Sequence, residues 1–138
     1  MILVDTSVWI RHYRASDRVL EELLSEGQVL SHAYVRGELA CGNLKDREYT
    51  LRLHQLLPQA VSVQDEEVIA FIGMRNLAGR GLGWVDMHLL ASAVLTPDAA
   101  LWTHDERLAS VAAEMSVSFQ GGTSGTAQSG IPNMSGGW

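Results

Sequence analysis

Asp5, Glu38, Asp86 and Asp105 are the side chains of this 138-residue sequence whose type and placement suggest joint chemistry. Asp5 ends the apolar run Met1-Ile2-Leu3-Val4, and Asp105 follows a second such run, Ala100-Leu101-Trp102-Thr103. Ligands of open parallel α/β sheets bind outside the carboxyl ends of the strands, so two neighbouring strands would bring both acids to one edge. Glu38 lies three residues after Val35 and next to Leu39, on an apolar helix face where an unpaired carboxylate is costly. Asp86 precedes Leu89, Leu90 and Ala93, so it too shares a face with core residues. Four such acids call for a common compensating charge. A hard divalent cation held by oxygens supplies it, and Mg²⁺ or Mn²⁺ suits that ligand set. Such ions hold the attacking and leaving oxygens of a phosphodiester and turn a bound water into a usable nucleophile.

Each acid also has an ordinary explanation. Asp5 and Asp105 are good helix N-caps. Asp86 in a first helical turn complements the helix dipole. Glu38 fits a half-exposed helix position. No single residue identifies an enzyme; the signal is the set. His88 and His104 flank two of the acids as possible proton carriers, although His88 is two residues from Asp86 and so points to another face of the helix. The histidines and the lone Cys41 lack zinc spacing. Gly79, Gly81 and Gly83 lack the setting and the Lys of a phosphate-binding loop, and no nucleophile elbow is present.

The elements that must carry these residues can be read from apolar pattern and caps. The unbroken apolar run at residues 1–4 predicts a strand buried on both faces, as in parallel sheets. Thr6 or Ser7 caps a short helix starting at Val8-Trp9-Ile10. A second helix runs from about Asp17 to Glu26 and stops at Gly27. Gln28-Val29-Leu30 is a second strand, and Ser31 caps the helix carrying Glu38. Further helices are predicted over 45–57, from Asp65 onward with acids in its first turn, over 84–95 with apolar residues nearly all round, and over 105–114. Strands are predicted at 60–63, 100–103 and 117–119. Alternating strands and helices predict an α/β/α sandwich around a mainly parallel sheet. Residues 120–138 hold no charge and most of the chain's late glycines, which predicts a flexible Gly/Ser-rich tail after a domain of residues 1–119.

Bulk composition sets the remaining bounds. With 46% apolar and 19% charged residues, the chain can bury a real core. No apolar run is long enough to span a membrane, no signal peptide is evident, and one cysteine allows no internal disulfide, so a reducing cytoplasm is expected. The formal charge of −6 argues against nucleic acid. Setting the four site acids aside leaves twelve acids against ten Lys and Arg, which weakens the objection. Arg11, Arg14 and Arg18, with Arg75 and Arg80, are available to guide a phosphate backbone, although a solvated helix face is the commoner meaning of such residues.

Three stretches resemble the PIN-domain ribonucleases, and VapC-type toxins in particular: residues 2–9 (Ile-Leu-Val-Asp-Thr-Ser-Val-Trp), residues 83–93 around Asp86, and residues 101–108 (Leu-Trp-Thr-His-Asp-Glu-Arg-Leu). Glu38 fits the family's helical acid. The resemblance implies that Asp5, Glu38, Asp86 and Asp105 form an acidic, Mg²⁺-binding catalytic site assisted by Thr103 and Ser7, in a PIN-like sandwich. It further implies cleavage of structured RNA (tRNA or rRNA) that inhibits translation, a small VapB-like antitoxin as partner, and a homodimer. Val8, Trp9, Ile10 and Tyr13 would receive an amphipathic helix of that partner. Two rivals stand beside this. An aspartyl phosphatase shares the opening strand but needs a second Asp where Ser7 stands. A non-catalytic PIN-like binding module would keep the fold and lack the cleavage.

Overall fold

The computed structural model describes residues 1–121. Its elements follow in the order β1 (Ile2–Val4), α1 (Thr6–Arg14), α2 (Arg18–Ser25), β2 (Val29–Leu30), α3 (Ala33–Ala40), α4 (Arg47–Leu56), α5 (Asp65–Met74), α6 (Trp84–Leu95), β3 (Ala100–Trp102) and α7 (Glu106–Glu114). The strands form a parallel sheet in the order β2-β1-β3. Ile2 pairs with both Val29 and Ala100, and Val4 with Trp102, so β1 and β3 end side by side. Leu3 and Val4 point to opposite faces and both are fully buried. Each face of the central strand is therefore covered, which makes the fold the α/β sandwich expected from its unbroken apolar strands.

Two expected strands shrink to single bridges. The 60–63 segment reaches Ser31 only at its start, where Ala60 N donates to Ser31 O at 2.9 Å beside the parallel Ser31–Gln59 bridge. Its Val61 N–H goes instead to Thr96 Oγ1 at 2.9 Å, which draws the chain off the sheet. The 117–119 segment likewise meets Leu101 at a single parallel bridge, through Ser118. Ser31 takes part in the Gln59 bridge, and the α3 cap falls to His32, whose Nδ1 accepts from Tyr34 N at 3.0 Å. The α1 cap is Asp5 itself, not Thr6 or Ser7.

Helix ends otherwise follow from local chemistry. Asp17 accepts from Leu20 N at 3.0 Å to open α2, and Gly27 closes it at φ 68°, a left-handed conformation that glycine adopts without strain. The middle of α6, residues 87–93, is buried without interruption, as its apolar circumference required. Val8 and Trp9 are also core residues. Of the four side chains expected to receive a partner helix, only Ile10 and Tyr13 are exposed. The expected tail lies, from residue 122 onward, outside the described residues.

Candidate active site

Asp5 stands at the end of β1 and is 7% exposed. Its Oδ1 accepts from Thr6 N at 2.8 Å, the capping role any N-terminal Asp would fill. Its Oδ2 does something a cap does not need. It accepts from Ser7 Oγ at 2.8 Å and from Thr103 Oγ1 at 2.7 Å. Thr103 follows β3, and its Oγ1 also accepts from Asp105 N at 3.0 Å, while Ser7 Oγ accepts from His104 N at 3.1 Å. Two hydroxyls thus tie the ends of β1 and β3 together and fix the Asp5 carboxylate.

Asp86 reaches the same place from α6. From the third helical position it reaches back to its N-cap, where Asp86 Oδ2 accepts from Gly83 N at 3.0 Å. The loop before it bends at Gly81, with φ 86°, and the Arg107 side chain lies over that glycine. The α7 cap is Asp105, whose Oδ1 accepts from Leu108 N at 2.9 Å. Glu38 comes from α3 and is held by Thr6 Oγ1, which donates to its Oε1 at 2.5 Å. Glu38 is exposed rather than set on an inward face. It lies about 60° around the helix from Val35 and about 100° from Leu39, both buried, and so stands at the edge of the buried face.

All four acids line one cavity of about 550 Å³, together with Thr6, Ser7, Ile10 and Cys41. Among the described residues no Lys, Arg or His lines it. Asp86 registers the consequence: burial first, then the charges of Asp5 and Asp105, raise its pKa above the ordinary carboxylate value, against the lowering effect of the Gly83 hydrogen bond. Four oxygen donors without a cationic neighbour fit a hard divalent ion. Among the described residues no three acidic, His or Cys side chains converge closely enough to chelate an ion directly.

The structure separates other expected residues from this cavity. Thr103 is not among its lining residues, and its Oγ1 instead bonds Asp5 Oδ2 and Asp105 N. His88 is buried on another side of α6, with Nε2 3.0 Å from Asp65 Oδ1 and its ring against Tyr34 and Trp84. Burial, then the nearby Arg11 charge, lowers His104 to a pKa of about 4, so it is neutral at physiological pH. Arg80 forms a bidentate pair with Glu114, at 3.1 and 2.6 Å, and Arg75 lies over Phe71. Sequence reasoning missed Thr6, Ile10 and Cys41 as lining residues. Spacing held a clue: Ile10 stands four residues after Thr6 on α1, and Cys41, the C-cap of α3, follows Glu38 by three.

The sequence matches the profile of the PIN domain over residues 2–114. It is also 48% identical over 119 residues to proteins named Ribonuclease VapC32 in two strains of Mycobacterium tuberculosis, an alignment covering 86% of this chain and 96% of each relative. Fold, acidic cavity and near-full-length similarity agree, and the chain belongs to the PIN-domain family, in its VapC-type branch.

Proposed function

We propose that this chain is the toxin of a type II toxin–antitoxin pair, an endoribonuclease that uses a divalent cation, Mg²⁺ or Mn²⁺, to cleave structured RNA (tRNA or rRNA) and so inhibit translation. The observation that carries this reading is the convergence of Asp5, Glu38, Asp86 and Asp105, from four different elements, on one cavity at the ends of β1 and β3. The relatives' name, ribonuclease, points the same way.

Asp5 and Asp86 would be the principal metal ligands, with Glu38 and Asp105 completing the site partly through waters. The bound cation would supply charge for the phosphate and a water of lowered pKa. The chain's own groups supply alignment. Ser7 and Thr103 hold Asp5 Oδ2 from two sides, Gly83 N holds Asp86, and Thr6 holds Glu38, so the carboxylates are set before substrate arrives.

A VapB-like antitoxin is the partner expected of this branch. Tyr49, Leu53 and Leu56, at positions i, i+4 and i+7, form an exposed stripe along α4 that suits an amphipathic helix. A homodimer and a cytoplasmic location belong to the same proposal; among the described residues no helix is long and apolar enough to cross a membrane. The decisive experiment incubates purified chain, free of any partner, with RNA and Mg²⁺ or Mn²⁺. Cleavage that stops in EDTA and is absent in Asp86→Asn supports the proposal. Undiminished cleavage in EDTA overturns the metal role, and metal binding without cleavage favours a non-catalytic binding module.

A further inference from the structure

Thr6, Ile10 and Tyr13 stand at positions i, i+4 and i+7 of α1 and so share one face of that helix. Thr6 and Ile10 line the acidic cavity. Tyr13 is the next side chain outward along the stripe, and 43% of it is open to solvent. Arg14, also exposed, lies four residues from Ile10 on the same side of α1.

An aromatic ring left on a helix surface ordinarily swings between rotamers. The Tyr13 ring does not have that freedom. Its hydroxyl is 2.6 Å from Nε2 of the fully buried His54 on α4. Its plane lies 21° from that of Trp9, at a centroid separation of 5.8 Å, so the buried indole backs it. Burial raises the phenol to a pKa of about 12 and lowers His54 to about 4, which keeps this a hydrogen bond between neutral groups over the physiological range. The outcome is a rigid, half-exposed π-surface one helical turn beyond Ile10, with the exposed Arg14 on the other flank of that residue.

That combination is what a single-stranded nucleic acid uses. Bases stack on fixed aromatic rings irrespective of sequence, while a neighbouring Arg meets the backbone. We infer that Tyr13 is a substrate-positioning residue on which a nucleobase near the scissile phosphate stacks, with Arg14 beside it for the backbone. This rests on the ribonuclease reading for the identity of the substrate. Ile10, between the ring and the acids, would mark the path of the intervening nucleotide. The charge deficit of the chain makes such a contact valuable, because stacking, unlike phosphate contact, holds RNA without a basic surface.

The test uses short single-stranded RNAs containing the cleaved sequence, with 2-aminopurine placed in turn at each position around the cleaved bond. Binding is read with the full chain carrying Asp86→Asn, with Tyr13 intact or replaced, and cleavage is read with Tyr13 variants of the otherwise unaltered chain. Stacking on Tyr13 predicts fluorescence quenching at one position, lost in Tyr13→Leu and retained in Tyr13→Phe and Tyr13→Trp, which keep an aromatic ring. It also predicts that Tyr13→Leu raises KM roughly tenfold, about 1.4 kcal/mol, and that an abasic nucleotide at the quenched position harms the unaltered chain but not Tyr13→Leu. Melting temperatures of all three variants identify any that fail to fold, and Tyr13→Phe or Tyr13→Trp then carries the comparison. Unchanged quenching and KM in a folded Tyr13→Leu overturn the inference. Loss of antitoxin binding in that variant, with RNA handling intact, overturns it in favour of a protein-docking role. Position-specific quenching without any cleavage by the unaltered chain would sink the ribonuclease reading and leave the stacking site standing.

Discussion

Thr103 Oγ1 donates to Asp5 Oδ2 at 2.7 Å across ninety-eight residues of sequence, joining the ends of two adjacent parallel strands at the candidate active site. The same oxygen accepts from Asp105 N at 3.0 Å. One hydroxyl thus sets an acid on β1 and the backbone that delivers an acid on α7.

Thr103→Val keeps the shape and removes both hydrogen bonds. Asp5 retains Ser7 and the Thr6 amide, so the fold should survive with a loss of about 1–3 kcal/mol in urea unfolding, the cost of leaving partly buried groups unmet. Cleavage per folded molecule should fall further than stability does, and Thr103→Ser, which restores the hydroxyl, should recover most of it. Full activity in Thr103→Val would remove Thr103 from the site.

Divalent metal should stabilise the unliganded protein through the same acids. A ligand that binds only the folded state adds about 2.7 kcal/mol at a hundred times its Kd. Thermal unfolding with and without Mn²⁺ should show an upward shift that EDTA reverses and that Asp5→Asn or Glu38→Gln reduces. An equal shift in a chain carrying both Asp5→Asn and Glu38→Gln would place the metal elsewhere.

The glycine loop before α6 offers a test of how Asp86 is held. Gly79 and Gly81 have φ values of 78° and 86°, and both lose about 1–2 kcal/mol as alanine from the left-handed backbone alone. Nothing lies near a Cβ on Gly79, but one on Gly81 would meet Arg107 Nη1 at 2.8 Å. Gly81→Ala should therefore displace the Arg107 side chain and reduce cleavage, while Gly79→Ala lowers stability alone. Equal effects on cleavage would show that the Arg107 contact has no part in placing Asp86.

The sequence was legible where one residue's neighbours decide its fate. An unbroken apolar run ending in Asp5, and an apolar helix carrying Asp86, announced both the parallel sheet and two of its edge acids. It was less legible where partners are distant. Whether 60–63 forms a strand depended on Thr96 capturing Val61 N, and nothing local says so. Glu38 was identified as a site acid for a partly wrong reason, since it is exposed and is held by Thr6 from another helix. The two-residue offset of His88 from Asp86 does put it on another face of α6, but its partner there, Asp65, is twenty-three residues away and is not legible locally. Tyr13 was visible only as one apolar residue among four, because its anchor His54 is forty-one residues away.

Asp86 separates chemistry from stability. Burial and the charges of Asp5 and Asp105 raise its pKa in the fold above its ordinary value of 3.8. The folded protein therefore binds the Asp86 proton more tightly than the unfolded chain does, and stability falls as pH rises from the unfolded pKa through the raised folded one. Above that window the ionised carboxylate is a net cost to the metal-free fold. Asp86→Asn removes the charge, and it keeps a side-chain oxygen to accept from Gly83 N. Urea unfolding of both proteins in EDTA, from pH 3 to 8, should show the unaltered chain losing stability relative to the variant as pH rises above 3.8 and then running parallel to it. Near pH 7 the variant should be as stable or more so, and its cleavage with Mg²⁺ should be lower by orders of magnitude, because the alignment of water and phosphate is gone. A capping Asp of purely structural importance behaves in the opposite way. Its replacement lowers stability at neutral pH, and activity falls only with the folded fraction. An Asp86→Asn protein that is destabilised at pH 7 yet cuts RNA normally when folded would remove Asp86 from the catalytic set.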